Sequence, residues 1–589
     1  MSENSLKKGR YTKYGNKIGL YSNSKGGFIK NDTDVVLNFP FKDAVLEAGM
    51  SKEDIGREER FLHIEIDSKD IDTLEEPKVL TDFRYIDKDG ERALDANSDI
   101  EFFDTEGNLK QNLLIKGNNL LALYTLRERL AGQVKLIYID PPFYFSDNKS
   151  EDAFKYNSNF KLSTWLTFMR NRLEVANELL SENGIFIVHV GVEDSAYINV
   201  LMDEIFGHEN FINHIAITTN DASGFKATGQ KIFSTANHIF IYKKNLGEIN
   251  KIYIPKPYDK AYKSVVTNKE EHYSKWQFTT IKQKVLETSP ELKGAELDIA
   301  IEEFASNNPS IVFRTAAIGG GAKIKRIATI EKSKSNKGVV MQHPDEDIEG
   351  FFILNGEGIV FWKNTYKEID GDLQPAQALT DVWTDIKWTG IANEGGVTLK
   401  NGKKPEKLMK RIIELATSKG DIVMDYHLGS STTVAVAHKM NRRWVGIEQM
   451  DYINELSEVR MRNVVNGDAT GVSKVVNWTG GGSFVYLELK KYNQEYVDLI
   501  TGATSLSELE EVYVDMRNNA FLKFWFDRKE FEKDEDFRKA DLEERKQKLV
   551  DMLDENQLYL NYADMGDTRH KVTADEKTLT DKFYGSAKN

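Results

Sequence analysis

Residues 134–143 read VKLIYIDPPF, a run of apolar side chains that stops at one carboxylate, two prolines and an aromatic ring. The run is too short for a helix and is rich in branched residues, so it predicts a strand buried on both faces. Asp140 ends this strand, and the rings of Pro141 and Pro142 fix the chain direction while offering no N–H donor. The segment therefore places two acceptors, the Asp140 carboxylate and the Pro141 carbonyl, beside the aromatic face of Phe143.

Strand and helix patterns alternate on both sides of this segment. Before it, NLLALYTLRERLAG (119–132) has the three- and four-residue leucine spacing of a helix. After it, residues 161–184 form a long amphipathic pattern that ends at Gly184, and IFIVHVG (185–191) is a second buried strand. Strands that alternate with helices of this length indicate a parallel sheet with right-handed crossovers.

Residues 211–390 interrupt this rhythm. They contain the strand pattern HIFIYKK (238–244), an irregular region around GGGAKIKR (319–326) and a tryptophan-rich segment, DVWTDIKWTG (381–390). The alternating pattern then resumes with a helix at 404–420. We expect five regions, namely an N-terminal region, the first half of an α/β core, an insert, the second half of the core and a helical C-terminal domain, with the bounds 1–110, 111–210, 211–390, 391–485 and 486–589.

A second motif lies where the pattern resumes. DIVMDYHLGSSTT (421–433) reads as a strand, a turn of small residues and the start of a helix, an arrangement that binds nucleotides at the carboxyl end of a strand. Gly429 permits close approach of a ligand, and Glu448 ends the next strand, where an acid can accept hydrogen bonds from a ribose. The turn is not G-x-G-x-x-G, so S-adenosylmethionine (AdoMet), with its cationic end near Asp425, fits better than a pyrophosphate. A structural turn capped by Asp425 is the alternative that the motif leaves open.

The segment around Asp140 suits chemistry on an exocyclic amine. The amine lone pair of a nucleobase is delocalised into the ring, and acceptors for both N–H groups free it for attack on a methyl donor. The base must leave the DNA stack to reach such a pocket, and stacking on a ring such as Phe143 is worth about 1–3 kcal/mol. A turn that only terminates the strand is the alternative. Because both motifs end strands of one interrupted sheet, they can face the same crevice.

The composition narrows the class of protein. The 589 residues include no cysteine, which excludes disulfides and thiolate chemistry and fits the cytoplasm, and the ten histidines form no H-x-x-H cluster, so we expect no metal. No apolar run approaches the ~20 residues of a membrane helix, and the N-terminus lacks the apolar core of a signal peptide. The net charge is −14, but residues 216–350 hold 20 Lys and Arg against 16 Asp and Glu, which is compatible with a polyanionic partner at the insert.

These segments together resemble the modification subunit of a type III restriction-modification system, a β-class DNA adenine-N6 methyltransferase. The resemblance covers most of the chain in family order and includes VKLIYIDPPF, STWLTFMRNRLEVANELL (163–180), KKPEKLMKRIIELA (403–416) and DENQLYLNY (554–562). It implies a Rossmann-like AdoMet-dependent methyltransferase fold with a mostly parallel sheet and the catalytic motif before the cofactor motif. It also implies an inserted target-recognition domain and a C-terminal α-rich domain.

The family pattern implies roles by position. Asp140, Pro141, Pro142 and Phe143 match the catalytic tetrad. The positions that match the family's AdoMet site are Asp425, Gly429, Ser430 and Thr432 in the loop, the ribose-binding acid Glu448, Asn118 near the adenine, and Lys404 and Pro405 at the start of the helix over the methionine end.

The sequence departs from the family pattern at both motifs. Phe143 stands where many relatives have Tyr, and stacking needs no hydroxyl. The loop YFSDNKSED (144–152) replaces the more usual Asn-Thr-Gly, so its part in holding the flipped base stays open. In the cofactor loop, HLGSS (427–431) replaces Phe-Ala and a second glycine. Ser431 therefore needs a backbone conformation that residues with a side chain seldom adopt.

The resemblance also implies partners. Double-stranded DNA is the expected substrate, a homodimer the expected assembly, and a separate helicase-nuclease the expected restriction subunit, because this chain contains no P-loop for ATP. The expected reaction is methyl transfer from AdoMet to adenine N6 after base flipping. Two other functions stay open, a DNA-specificity subunit with weak or no catalysis and a cytosine-N4 methyltransferase.

Overall fold

The structure is a computed structural model that describes most of the chain. The described residues are 76–143, 162–219, 234–344, 351–399, 402–491, 494–519, 540–555 and 559–585, with five short strands at Leu20–Ser22, Gly27–Phe28, Val36–Leu37, Asp43–Ala44 and Phe61–Leu62. The chain divides into two compact units, Met1–Asn250 with Asp381–Asn589, and Lys251–Thr380. The loop 144–152, where the sequence departs from its family, lies outside the described residues.

The larger unit is built on one sheet of eleven strands. In chain order they are β1 (Leu80–Asp87), β2 (Gly90–Ala93), β3 (Leu113–Lys116), β4 (Val134–Ile139), β5 (Leu180–Val190), β6 (Phe211–Thr218), β7 (Ala236–Lys243), β8 (Val382–Trp383), β9 (Ile422–Asp425), β10 (Arg443–Glu448) and β11 (Ser483–Leu489). Their order across the sheet is β8-β6-β7-β5-β4-β9-β10-β3-β11-β1-β2. The six strands from β5 to β11 in this order pair in parallel. The predicted α/β class with a mostly parallel sheet is therefore confirmed.

Ten helices accompany this sheet among the described residues of the larger unit. They are α1 (Asn119–Leu130), α2 (Leu162–Leu179), α3 (Ser195–Phe206), α4 (Glu406–Ala416), α5 (Thr432–Lys439), α6 (Ser457–Val465), α7 (Gln494–Gly502), α8 (Leu506–Asn519), α9 (Leu542–Glu555) and α10 (Ala574–Tyr584). The last three before the final one, α7 to α9, pack against one another in a hydrophobic cluster of their own. The helix that the sequence pattern extends to Gly184 ends at Leu179, because Leu180 already pairs with Val134 as the first residue of β5. In the described part of the chain, no helix has both the length and the apolar character needed to cross a membrane.

The core of the larger unit joins segments that are distant in sequence. Fully buried side chains of β4, β5 and α2 pack with Leu579 and Phe583 of α10, from the far end of the chain. Strands β6 and β7 extend the same sheet on the other side of β5. The second compact unit, Lys251–Thr380, is accordingly narrower than the insert at 211–390 that the sequence indicates.

The second unit combines two antiparallel sheets with three helices. The strands of the larger sheet are, in spatial order, Phe278–Thr280, Ser264–Val266, Val312–Ala316, Glu357–Phe361 and Ile353–Leu354, and those of the smaller sheet are Tyr253–Pro255, Asp372–Ala378 and Tyr366–Ile369. The helices are Ile281–Thr288, Gly294–Asn307 and Gly320–Ser335.

The third of these helices corrects a sequence-based prediction. The region around GGGAKIKR, which the sequence analysis describes as irregular, forms the first half of the helix Gly320–Ser335. Its buried face consists of Arg326, Thr329, Ile330 and Ser333, of which only Ile330 is aliphatic. The usual apolar periodicity of a helix is therefore missing from the sequence. Helical spacing becomes visible only in the folded chain, where it relates the buried positions.

Candidate active site

Four strand ends meet at one edge of the parallel sheet. β4, β9, β10 and β3 are consecutive neighbours, and their carboxyl ends lead to Asp140, Asp425, Glu448 and Asn118 respectively. Parallel neighbours end at the same edge, so the motif at Asp140 and the motif at Asp425 face one crevice. In the chain, the first motif precedes the second unit and the second motif follows it.

Asp140 is held by a lysine from the other half of the core. The Lys404 ammonium donates to Asp140 Oδ2 across 264 positions of sequence, and both side chains are largely buried, with 18% of Asp140 and 11% of Lys404 exposed. The other oxygen, Oδ1, is buried and has no hydrogen-bond partner among the described residues. Burial raises the pKa of Asp140, and the Lys404 ammonium opposes that rise. Asp140 thus keeps one acceptor oxygen for a ligand while the other binds a counter-charge.

The two prolines and Phe143 form a rigid wall beside Asp140. Pro141 and Pro142 are buried, and the Trp165 indole N–H donates to the Pro142 carbonyl at 2.8 Å. Phe143 lies against Gly191, where an added Cβ would come within 3.3 Å of the ring. Trp165 thereby occupies the Pro142 carbonyl. The Pro141 carbonyl is the acceptor that the sequence predicts for the base.

A histidine that the sequence analysis missed extends this wall. The His189 ring lies 6.3 Å from the Phe143 ring and 6.0 Å from the Trp388 ring, measured between centroids. Its Nδ1 pairs with the Tyr138 hydroxyl at 3.2 Å and its Nε2 with the Asn237 amide at 3.1 Å. Burial lowers the pKa of His189 well below its ordinary value, so the ring is neutral. No spacing rule connects His189 to Asp140, because only strand pairing brings them together.

Asp425 differs from Asp140 in having no cation beside it in the described part of the chain. The Thr433 hydroxyl donates to its Oδ2 at 2.6 Å, and the His427 backbone N–H donates to its Oδ1 at 3.0 Å. Burial raises the pKa of Asp425 to about 7; these two hydrogen bonds oppose the rise, and the carboxylates of Asp140 and Glu448 add to it. A cationic ligand would favour the ionised form of this carboxyl.

Glu448 ties the cofactor loop to the next strand. The Gly429 N–H donates to its Oε2 at 2.9 Å, and the N–H groups of Gln449 and Met450 donate to its Oε1 at 2.9 and 3.0 Å. The Tyr452 hydroxyl is a further partner. Gly429 has a φ of 54°, in the left-handed region that favours glycine, and an added Cβ would meet the Leu399 side chain at 3.8 Å, an ordinary contact distance. The Glu448 carboxylate therefore shapes the loop, and its contact with a ribose stays a prediction.

Ser431 adopts the conformation that its replacement of a glycine required. Its φ is 62° and its ψ is 25°, in the left-handed region. The hydroxyl is buried and has no hydrogen-bond partner among the described residues. The neighbouring Thr432 hydroxyl accepts from Arg460 at 2.7 Å and lies 3.4 Å from the Ser430 hydroxyl. The Thr432 hydroxyl thus bonds to other side chains of the protein and stabilises the loop.

A buried ionic network supports this loop from below. Lys439 donates to Glu406 at 2.9 Å and to Asp468 at 2.6 Å, and Arg460 donates to Glu406 at 2.7 Å. Arg460 also donates to the Ser430 carbonyl at 3.2 Å. The side chains of Glu406, Lys439 and Arg460 are fully buried. The sequence analysis missed this network, since charged residues at helical positions read as solvated surface.

The remaining predicted site residues lie at helix starts. Asn118 Oδ1 accepts from two N–H groups of the first turn of α1, at 3.0 and 3.4 Å, so this side chain is a helix cap. The neighbouring Asn119 donates to the Tyr426 carbonyl at 3.0 Å and so joins α1 to the cofactor loop. Pro405 precedes the first residue of α4 and fixes the chain direction directly after Lys404.

Several buried polar atoms in these loops lack a hydrogen-bond partner among the described residues. They are Asp140 Oδ1, Tyr426 Oη, His427 Nε2 and Ser431 Oγ. Buried polar atoms are nearly always paired, and their concentration at one sheet edge indicates a ligand site. In the same part of the chain, no group of three or more His, Asp or Glu side chains is placed to hold a metal ion.

The sheet order and the two strand-end loops define the Rossmann-like methyltransferase class of α/β proteins. The family model N6_N4_Mtase, described as DNA methylase, matches residues 134–459. The chain is 31% identical to the probable type III restriction-modification enzyme HindVI Mod subunit of Haemophilus influenzae, over 98% of this chain and 88% of that protein. The chain therefore belongs to the DNA methylase family and, within it, to the type III restriction-modification Mod subunits.

More distant relatives have related descriptions. The type II methyltransferase M.EcaI of Enterobacter cloacae is 26% identical over 76% of this chain and 92% of its own length. A solved structure of a DNA modification methylase from Thermus thermophilus, complexed with S-adenosyl-L-methionine, matches 61% of this chain and 96% of that chain with a TM-score of 0.30 and 14% identity.

Proposed function

We propose that this DNA methyltransferase transfers a methyl group from AdoMet to the N6 amine of an adenine that has been flipped out of duplex DNA. The main observation in support of this proposal is the arrangement at Asp140. One carboxylate oxygen is buried and has no hydrogen-bond partner among the described residues, while the other binds Lys404. This arrangement offers an oriented acceptor to an N–H group.

On the base side, each residue of the tetrad has a defined task. Asp140 Oδ1 and the Pro141 carbonyl accept the two N–H groups of the amine and draw the nitrogen toward a tetrahedral geometry. Phe143 stacks on the ring and offsets part of the cost of unstacking, a few kcal/mol. Lys404 favours the ionised form of Asp140, which can then hold the proton that the amine loses.

On the cofactor side, the described residues fit AdoMet. Asp425 is a buried carboxyl without a counter-charge among those residues, as a cationic ligand requires, and Gly429 places no side chain between its backbone and a ligand. When bound, AdoMet supplies an electrophilic methyl group on a sulfonium. Glu448 and the network under Ser430 and Thr432 hold the loop in one shape, so that little ordering remains when the ligand binds.

The choice of adenine over cytosine rests on the resemblance. Both bases carry an exocyclic amine that two acceptors can bind, and the family model covers both N6 and N4 chemistry. Asp rather than Ser before Pro-Pro is the adenine pattern within this family, and Asp140 provides it.

The proposed partners follow from the relatives. Relatives described as Mod subunits of type III restriction-modification enzymes support a separate restriction subunit. We assign target recognition to the second unit and a homodimer to the assembly, with duplex DNA as the substrate.

Single-molecule sequencing of genomic DNA tests the proposal. Cells that express the wild-type chain are expected to carry N6-methyladenine in one sequence motif, and cells that express Asp140→Ala are expected to carry none. If N4-methylcytosine were found at the motif instead, the target base would be cytosine and the proposal of adenine would be wrong. No methylation together with no AdoMet binding in calorimetry would favour a DNA-specificity subunit without catalysis.

A further inference from the structure

The helix Gly320–Ser335 of the second unit is anchored by one face. The Ser333 hydroxyl accepts from the Gly356 N–H at 3.1 Å, and Thr329 Oγ1 pairs with His343 at 3.0 Å. The Arg326 guanidinium stacks on the Phe351 ring at 4.2 Å. Since these residues recur with helical spacing, the opposite face of the helix points away from the unit to which it is attached.

Two large apolar side chains lie on that opposite face, together with the exposed Glu331 and Ser335. Ile324 is 77% exposed and Ile327 is 56% exposed. Both lie within one turn of Ala328 on the outer side of the helix. Isolated exposed apolar residues are ordinary, but two isoleucines on adjacent turns, with no cover among the described residues, indicate a contact surface.

Lysines line both sides of this apolar face. On a helical projection, Lys323 and Lys334 fall on one flank and Lys325 and Lys332 on the other. The one acid of the helix, Glu331, lies on the outer face, between the two isoleucines in this projection, where its charge is paired with Lys334 at 2.7 Å. The outer face therefore carries two exposed isoleucines and one paired acid between two basic edges.

We propose that the helix Gly320–Ser335 enters the major groove of duplex DNA and contacts the base edges with Ile324 and Ile327. This inference rests on the proposed function, in that DNA is the substrate, and adds the element that contacts the bases. The major groove is about 12 Å wide and admits one helix. The exposed isoleucines can contact the methyl groups of thymine, and lysines on both edges can reach the phosphates on either side of the groove.

Charge favours DNA over a protein partner at this surface. Within the same unit, the helix Gly294–Asn307 also exposes an isoleucine, Ile299, which is 59% exposed. That helix carries four acidic residues and no basic one, so a polyanion would be repelled from it. Of the two helices, only Gly320–Ser335 combines exposed isoleucines with a positive charge.

The first test measures binding of the full-length chain to duplex DNA as a function of salt, and it needs no knowledge of the recognised sequence. The double variant Lys323→Ala/Lys332→Ala is expected to lose about 1.8 from the slope of log affinity against log salt, about 0.9 for each lost phosphate contact. The control Lys282→Ala/Lys293→Ala removes two exposed lysines from other elements of the unit and should keep the wild-type slope. An unchanged slope in the first variant overturns the proposal.

The second test measures base recognition. The variant Ile324→Ala/Ile327→Ala is expected to methylate the wild-type motif at least tenfold more slowly (in kcat/KM), or to relax the motif, with unchanged AdoMet affinity and salt slope. Ile299→Ala is the matched control and should behave as wild type. A wild-type rate and motif in the double variant overturns the proposal, and a loss of binding to a restriction subunit alone would assign the face to a protein. If the wild-type chain leaves no methylation, the proposed reaction fails, and the salt test alone decides this inference.

Discussion

Asp140 and Asp425 are two largely buried carboxyls at the carboxyl ends of neighbouring strands of one sheet, β4 and β9. Asp140 is paired with the Lys404 ammonium, whereas the donors that Asp425 receives from the described residues, Thr433 and the backbone of His427, are neutral. The same fold position thus carries a neutralised carboxylate in one half of the core and an uncompensated one in the other.

The difference matches the ligand that we propose for each carboxyl. In the proposed reaction Asp140 receives a neutral amine, so its counter-charge comes from the protein and stays there. In the same proposal Asp425 receives a cofactor that carries positive charge, so a resident cation at this position would compete with the ligand. The two sites therefore respond differently when their charges are removed.

The largest effect is expected from Asp140→Ala. The variant removes the acceptor for the amine, and methyl transfer should fall by about 10³-fold or more, as for other preorganised groups of an active site. AdoMet affinity and DNA affinity should stay within about threefold of wild type. Single-turnover rates with AdoMet in excess measure the first effect and calorimetry the second. Substantial transfer by the variant would remove Asp140 from the chemistry.

Asp425→Asn should change how stability depends on pH. The folded chain holds the Asp425 proton up to about pH 7, while the unfolded chain releases it near the ordinary value of 3.8. The folded state therefore binds more protons in this window, and wild-type stability should fall as pH rises from about 4 to 7, by up to ~4 kcal/mol from this group. Urea unfolding of both proteins at several pH values measures the difference. Parallel curves would contradict the raised pKa of Asp425.

Lys404→Met is expected to have a smaller effect on the reaction. Without the ammonium, burial alone acts on Asp140, so its pKa rises and the acidic limb of kcat/KM moves to higher pH. Activity near pH 7 should fall by about 10–100-fold. Lys404→Arg keeps the charge and should keep the wild-type limb. A profile for Lys404→Met that is lower but parallel to wild type would assign Lys404 a purely structural role.

Ser431→Gly should produce the smallest effect, and in the opposite direction. The left-handed conformation of Ser431 costs roughly 1 kcal/mol relative to glycine, and its buried hydroxyl has no partner among the described residues. The variant should be more stable by about 1 kcal/mol in denaturant unfolding and should bind AdoMet at least as well. A loss of stability would show that the serine side chain contributes to the loop.

The arrangement of the sheet could be predicted because it depends on local patterns. The apolar runs of β4, β5, β9 and β10 and the helices between them specify a parallel sheet, and parallel strands place Asp140 and Asp425 at one edge. The helix Gly320–Ser335 was not predictable by the same rule, because its buried face is mostly polar.

Contacts between side chains could not be predicted to the same extent. The pairing of Lys404 with Asp140 and the network of Glu406, Lys439 and Arg460 depend on residues that meet only after the sheet has formed. For Asn118, position along the chain predicts a cofactor contact, which stays a prediction, and the structure adds that the side chain caps a helix. Residue type and spacing thus identified the loops of the site, while the partners of each side chain follow from the tertiary fold.

The pairing of Asp140 with Lys404 has a consequence for biosynthesis. The ribosome adds Lys404 264 residues after Asp140, which corresponds to roughly 10–50 s at ~5–20 residues per second. During this interval β4 has not yet gained its neighbour β9, and one edge of an apolar strand is open to other chains. Nascent chains that stall within the second unit should therefore aggregate or engage chaperones, and they cannot modify DNA until both halves of the crevice have been synthesised.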